Sequence, residues 1–278
     1  MSRRSPLAGL GRSVLLRSAL LGCLLGGLPM AAAAFTSIDD SAPLEVEASQ
    51  GIEWRREQGT VIARGDAVAT QGKMTVRADE LTAYYRDTPS GGNRIYRFEA
   101  TGNVRVSNGE NRLFGPKVTY DVDAAIFTVT GGKSTLETPS ETIVANEGME
   151  YRSRERIATA RGDVVAVRGP RKLRADQMTA QFSEGPDGAM QVTQIEASGE
   201  VLIATAKEVV RANKAVYHPE QEKVELNGNV RVTRGRTELA GAQASLDLRS
   251  GVSRLEGGGG GGASGRARAV FMPESRGR

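Results

Sequence analysis

A self-match at a fixed spacing of 97 residues constrains this chain more than any other feature. Residues 48–106 align without gaps to residues 145–203, with 22 identities in 59 positions. The identities cluster in short blocks: 63–66 recurs at 160–163, 77–79 at 174–176, and 99–104 at 196–201. Repetition at this length predicts two copies of one supersecondary unit, each of which needs its neighbour to bury an apolar face.

Within each unit, apolar residues alternate with polar ones, as in Leu44-x-Val46-x-Ala48 and Val201-x-Ile203. Period two is typical of strands with one buried face. No window shows a sustained apolar stripe of period 3.6, so we expect little helix. Gly-Asp and Gly-Asn pairs such as 65–66 and 102–103 favour positive φ, which predicts tight hairpins at these points. The sequence therefore predicts an all-β fold.

Residues 1–34 have the anatomy of a secretion signal. A basic stretch precedes the apolar run 18–28, and four alanines end at position 34, which predicts cleavage before Phe35. An alternative uses Leu20-Leu21-Gly22-Cys23 as a lipobox, which would make Cys23 a lipidated N-terminus. Cys23 is the only cysteine, so cleavage before Phe35 leaves no thiol for a disulfide, a zinc site or a nucleophile.

The positive charge of the chain is concentrated at its two ends. The whole chain has a formal net charge of +4, but residues 35–256 carry 29 basic and 32 acidic residues, a net charge of −3. A body of that charge lacks the overall electrostatic footprint of a nucleic-acid-binding protein. Residues 257–278 begin with six glycines and end in a basic segment, and we predict that they form a disordered tail.

The inventory of reactive side chains argues against catalysis. His218 is the only histidine, and it precedes Pro219-Glu220 in a predicted turn. The Asp121-x-Asp123 pair also favours a turn, since no further oxygen ligands lie nearby in sequence. We therefore predict no enzyme activity, no catalytic residues, no metal site and no cofactor.

Two further features leave two interpretations each. Arg77-Ala78-Asp79 and its copy at 174–176 favour surface ion pairs next to a turn, with an anion-binding device as the alternative. Trp54 and Tyr151 occupy equivalent places in the two repeats. We expect both to pack into the core, and a place at the rim of a lipid site is the alternative.

The order of motifs resembles that of the OstA-like family of lipopolysaccharide transport proteins. The residues that carry the resemblance are Gly65-Asp66-Ala67-Val68, Val76-Arg77-Ala78-Asp79 and Tyr84-Tyr85, repeated in the second unit. The resemblance covers roughly residues 40–256. It implies an open, twisted β-jellyroll made of two tandem repeats, residues 35–139 and 140–256, that forms one continuous fold.

The resemblance also implies a function: a periplasmic transport protein that binds lipopolysaccharide, shields lipid A acyl chains in an apolar groove and bridges the two membranes. The implied partners are an LptC-like inner-membrane extraction complex, an LptD-like outer-membrane translocon and further copies of the chain, joined end to end. Inward-facing candidates for the groove are Leu44, Val46, Val68, Val76, Phe98, Val104, Val118, Tyr120, Phe127 and Val129. Candidates for the edge strands that partners would extend are Leu44, Val46, Ala48, Leu246 and Leu248, within edges at 44–48 and 246–255. The alternative is an envelope-assembly adaptor that uses these edges without carrying lipid.

Overall fold

The computed structural model describes residues 42–89, 91–186, 188–250, 252–257 and 267–270. The predicted signal peptide, with Cys23, and most of the predicted tail lie outside these residues. The described part is built from strands joined by turns, and it contains no helix long and apolar enough to cross a membrane. The strands are β1 Glu45–Glu47, β2 Ile52–Arg55, β3 Thr60–Gln71, β4 Met74–Asp87, β5 Asn93–Asn108, β6 Asn111–Asp121, β7 Ile126–Thr130, β8 Ser134–Glu137, β9 Thr142–Ala145, β10 Gly148–Arg152, β11 Ile157–Arg168, β12 Arg171–Glu184, β13 Met190–Ala204, β14 Glu208–His218, β15 Lys223–Arg234, β16 Thr237–Asp247, β17 Ser253–Glu256 and β18 Arg268–Val270. The predicted all-β fold class is confirmed.

Every strand pairing is antiparallel, and consecutive long strands pair directly from β3 to β6 and from β11 to β16. Each long strand contains an irregularity that divides it into two parts. The parts that pair with β2, β7, β10 and β17 form what we call half A. The parts that pair with β1, β8, β9 and β18 form half B. One core cluster takes side chains from both halves, so their inner faces pack against each other.

The Gly-Asp and Gly-Asn pairs lie at the boundary between the halves, within strands. Gly102 and Asn103 have φ of +77° and +47°, and the register of β5 shifts there against both neighbours. The prediction of hairpins at these pairs is therefore wrong: they form β-bulges, which bend the strand without ending it. The hairpins lie elsewhere, for example at Gly72 and Gly109.

The Arg-Ala-Asp motif lies beside these bulges. Asn103 Nδ2 donates to both carboxylate oxygens of Asp79, at 3.2 and 3.0 Å. A methyl group on Gly102 would lie 2.1 Å from Asp79 Oδ2, so the approach of Asp79 requires glycine there. A third copy of the motif, Arg211-Ala212-Asn213, faces the bulge at 228–229 through a hydrogen bond from Asn229 to Asn213. The motif therefore helps to form the corner between the two halves.

The most tightly packed part of the core belongs to the second repeat. Val164, Ile203, Val224 and Leu226 have no exposed side-chain surface. Burial of a side chain of this kind stabilises the fold by about 1.5–3 kcal/mol. In the first repeat, by contrast, many inward residues of half A and half B are only partly covered. The fold is thus more closed within the second repeat than within the first.

The C-terminal edge differs from the predicted one. Leu246 and Leu248 lie at and just beyond the end of β16, and β16 is paired on its outer side with β17 and β18. The outermost strands are β17, which contains Leu255, and β18. The structure also differs from the predicted disordered tail at residues 268–270, which form β18 by pairing with Glu238, Leu239 and Ala240.

Candidate functional site

An apolar groove of about 910 Å³, counting its open mouth, lies between the inner faces of the first repeat. The period-two alternation places it there, because every second residue of β3 to β6 turns inward. The residues that line it are Leu44, Val46, Val61, Ala63, Ala69, Gln71, Met74, Val76, Leu81, Thr82, Ala83, Phe98, Glu99, Ala100, Val106, Val118, Tyr120 and Phe127. Apolar lining of this kind is typical of sites that enclose hydrophobic ligands.

The structure brings together most of the residues predicted for this groove. Leu44, Val46, Val76, Phe98, Val118, Tyr120 and Phe127 all line it. Val104 is only 1% exposed and packs within the core. Val68 differs from the prediction: its neighbours Ala67, buried, and Ala69, at the groove, turn inward, which places Val68 on the outer face of half B.

A second apolar cavity of about 600 Å³ adjoins the first, because Phe127 lines both. It lies at the junction of the two repeats, and Val129, the remaining predicted residue, lines it together with Met149 and Met178. Tyr151 closes one wall and meets Phe182 edge-on, with ring centroids 6.1 Å apart. The two cavities are therefore neighbours along the apolar interior, one near the N-terminal edge and the other at the junction.

Sequence reasoning missed several lining residues, among them Val61, Met74 and Leu81. Met74 precedes the predicted Val76 by two positions, whereas Val61 and Leu81 lie on the other side of a register shift from the predicted residue of the same strand. Extending the period-two pattern from Val76 would have found Met74. It would have missed Leu81, because the register shift between Arg77 and Glu80 changes which residues of β4 face inward.

Polar residues at the groove are few, and alternation places the Glu99 carboxylate on the outer face, since its neighbours Phe98 and Ala100 turn into the groove. Glu99, whose side chain is 13% exposed, forms ion pairs with Arg97 and with Lys117, the latter at 3.1 Å. The second repeat keeps this arrangement, since Lys214 pairs with Glu196 at 2.8 Å. Burial, and after it the Glu99 carboxylate, raise the pKa of Tyr84. Because Glu99 and its two partners lie on the outer face, the groove presents mainly apolar surface to a ligand.

The N-terminal edge consists of β1 and β2, which pair only with β3. Their counterparts in the second repeat, β9 and β10, pair on both sides. This difference explains why Tyr151 is 4% exposed whereas its counterpart Trp54 is 55% exposed. Ile52 and Leu44 on the same edge are 52% and 41% exposed. Of the remaining edge candidates, Val46 and Ala48 are half-buried.

The structure assigns structural contacts to most of the reactive residues that the sequence singled out. The Asp121 carboxylate accepts a hydrogen bond from Ala124 N at 2.7 Å, and Asp123 forms an ion pair with Arg86 at 2.8 Å. His218 is the last residue of β14, opposite Lys223. Among the described residues, no group of three or more His, Cys, Asp or Glu side chains could hold a metal ion.

These features define a class of protein: a repeated β-jellyroll with an apolar interior and with end strands whose outer edges have no partner in the described structure. The sequence matches the family model described as "LptA/(LptD N-terminal domain) LPS transport protein" twice, over residues 45–148 and 142–252. The chain therefore belongs to this family, which confirms the resemblance drawn from the motifs.

Comparison with solved structures gives a distant match. The crystal structure of LptH, described as the LptA homologous periplasmic component of the conserved lipopolysaccharide transport device from Pseudomonas aeruginosa, is 13% identical. The match covers 85% of this chain and 99% of that one, with a TM-score of 0.22. No curated protein matches the sequence.

Proposed function

We propose that this chain is a periplasmic transport protein that binds lipopolysaccharide by enclosing lipid A acyl chains in the groove of the first repeat. The observation that carries the proposal is the open apolar groove that begins at Leu44, with a second apolar cavity beside it at the repeat junction. Membership in the family supports transport of this lipid. The predicted N-terminal signal peptide supports export to the periplasm.

The chemistry of the groove suits acyl chains. Its lining is dominated by Val, Leu, Ala, Met and Phe side chains, and the carboxylate of Glu99 turns away from it and pairs with two cations. Methylene groups that enter such a site leave water, and each contributes about 0.8 kcal/mol. The phosphorylated sugars of the lipid would remain at the open mouth, because burying unpaired charge is costly.

Bridging of the two membranes would use the strands at both ends of the fold, each of which is paired on one side only. An edge strand offers a row of free N–H and C=O groups to which another β-jellyroll can add. Exposed Ile52 and Trp54 would be covered by such an addition, as Tyr151 is covered by β7. The partners proposed for these edges are further copies of the chain, an LptC-like extraction complex and an LptD-like translocon.

Site-specific photo-crosslinking tests the lipid proposal. A photoreactive residue at Phe98, which lines the groove, should capture lipopolysaccharide in cells. The matched control is Val68, which lies on the outer face of the same repeat and should capture none. Equal capture at both positions, or capture at neither, would contradict the proposal.

A second candidate function is an adaptor that joins envelope proteins through its edges and carries no lipid. The exposed apolar side chains of β2 favour it, since they fit a protein partner without any ligand in the groove. Mass spectrometry of the protein purified from its native envelope separates the two functions. Stoichiometric lipopolysaccharide supports transport, whereas partner proteins without lipid support the adaptor.

A further inference from the structure

The outer face of half B carries six arginines on one line of directly opposite residues that crosses both repeats, with four uncharged residues between Arg105 and Arg174. Following directly opposite residues through the register gives the order Glu47, Val68, Arg77, Arg105, Phe114, Thr135, Val144, Val165, Arg174, Leu202, Arg211, Arg231, Ala240, Arg268. We call its arginines the arginine row: Arg77, Arg105, Arg174, Arg211, Arg231 and Arg268. At about 4.8 Å between neighbouring strands, the row is roughly 50 Å long.

We expect the arginine row to lower the stability of the fold, because two pairs of its arginines lie directly opposite each other. Arg77 lies directly opposite Arg105, and Arg211 directly opposite Arg231. Like charges at directly opposite positions of an antiparallel pair are destabilising. Within the described part of the chain these four side chains are exposed and form no ion pair. Only Arg174 has a carboxylate partner, Asp163. The internal contacts of the fold therefore do not account for the row.

Acidic residues flank the arginine row unevenly. On the corner side, Asp79 and Asp176 follow Arg77 and Arg174 in the Arg-Ala-Asp motifs. Next to Arg211 and Arg231 the corner positions are Asn213 and Asn229, which carry no charge. On the opposite side, the adjacent row includes Arg112, Glu137, Lys172 and Glu238. The positive charge is thus least compensated toward the C-terminal end, where β18 adds Arg268 beside β16.

The shape of the arginine row favours a flexible, chain-like anion over a flat anionic surface. Guanidinium groups bind carboxylates and phosphates through paired hydrogen bonds. A twisted sheet rotates by about 20–25° from each strand to the next, so the row winds around the long axis of the fold. A flat bilayer would touch only part of such a row, whereas a flexible chain can follow all of it. The row is also one residue wide and bordered by aspartates, which a broad anionic surface would approach unfavourably.

We propose that the arginine row is a binding surface for a linear acidic glycan, a polymer with carboxylate or phosphate groups at regular intervals. The site lies on the outer face, away from the groove. Glycan binding at this site therefore does not depend on the proposed lipid function, and Phe98→Ala should leave glycan binding unchanged.

Fluorescence anisotropy with a labelled alginate oligosaccharide tests this site on the full chain, with neutral dextran as the uncharged probe. Alginate should bind in a salt-dependent way and dextran should not bind. The double substitution Arg211→Gln/Arg231→Gln should weaken alginate binding roughly tenfold, since two charge-assisted contacts are lost. The matched control, Arg86→Gln/Arg94→Gln, removes the same charge from residues around Asp123 and should change binding less than about twofold.

Three results would overturn the proposal. One is an equal loss in the control variant, because affinity would then follow net charge alone. Another is unchanged binding in the row variant while its circular dichroism shows a folded protein. The third is strong binding to phosphatidylglycerol vesicles, lost in the row variant, without alginate binding, since the row would then be a membrane contact.

Discussion

The indole Nε1 of Trp54 donates a hydrogen bond to the hydroxyl of Tyr85 at 2.6 Å, and the two rings meet edge-on with centroids 6.3 Å apart. The guanidinium group of Arg56 lies over the Trp54 ring, with its Cζ atom 4.8 Å from the ring centroid. These contacts hold a side chain that is 55% exposed in one position at the N-terminal edge. An ordered, exposed aromatic residue loses little conformational entropy on binding, which suits an anchor for a partner strand.

Trp54 gives a direct readout of edge pairing, because it is the only tryptophan in the chain. If copies of the protein associate through β1 and β2, the indole leaves water and its emission should shift to shorter wavelength with increasing protein concentration. Ile52→Lys, on the same edge, should suppress both the shift and the oligomers seen by analytical ultracentrifugation, because burying an unpaired ammonium group is costly.

The matched control is Val167→Lys. Val167 is a 39% exposed apolar residue on β11, a strand that is paired on both sides, and this variant should associate like the parent protein. Emission that does not depend on concentration, in a protein that ultracentrifugation shows to be oligomeric, would place the contact somewhere other than the N-terminal edge.

The bulge at Gly102 should be sensitive to a single methyl group. Gly102→Ala combines a positive φ with a contact of 2.1 Å to Asp79, so we expect a loss of about 2–3 kcal/mol in the free energy of unfolding. Gly109→Ala is the control. Gly109 also has a positive φ, but a methyl group added there would meet no atom within 4 Å, so this substitution should cost about 1 kcal/mol. Urea denaturation measures both. Equal losses would mean that Asp79 moves away freely.

These bulges show where reading the sequence succeeds and where it does not. The spacing of 97 residues and the period-two alternation were sufficient to predict repeated β-strands. The Gly-Asp and Gly-Asn pairs correctly indicated positive φ, but a hairpin and a bulge both need that conformation. Only the pairing of long strands on both sides of Gly102 distinguishes the two.

The two edges show a second limit of prediction from the sequence, which concerns exposure to solvent. Trp54 and Tyr151 are equivalent in sequence, yet one is exposed and the other buried, because exposure depends on whether a strand pairs beyond them. Leu246 lies inside the edge for the same reason, since the chain continues into β17. The groove residues were largely predictable from alternation. Val68 was not, because the bulge at 65–66 changes which residues face inward.

A buried carboxyl group should make stability depend on pH. Glu141, in the turn between β8 and β9, is 5% exposed, and its Oε2 has no hydrogen-bond partner in the described structure. Burial raises the pKa of Glu141 to about 7, against the opposing effect of the Arg168 charge. Between about pH 4.5 and 7 the folded protein holds a proton that the unfolded chain has lost. The group's contribution to stability is therefore greatest at low pH and is lost as pH rises through 7.

Glu141→Gln should remove this dependence. At pH 8 we expect the variant to be more stable than the parent by on the order of 2 kcal/mol, with a much smaller difference at pH 4.5. Glu110→Gln, at an exposed hairpin position, is the control and should shift stability at neither pH. Thermal unfolding of the parent protein and both variants at the two pH values tests this prediction. If Glu141→Gln were equally destabilised at both, the carboxylate would be held charged in the folded protein.

The arginine row makes a prediction about stability that is separate from its proposed ligand. Arg105→Thr removes one of two directly opposed positive charges and places a β-branched residue on a strand, so unfolding should require about 0.5–1 kcal/mol more free energy. Arg112→Thr is the control, because Arg112 lies directly opposite an acidic residue, Glu137, and its removal relieves no repulsion between like charges. The difference between the two variants should shrink at high salt, which screens charges on an exposed face. If Arg105→Thr destabilises the protein as much as Arg112→Thr, the opposed arginines do not repel each other appreciably and the row carries no stability cost for a ligand to explain.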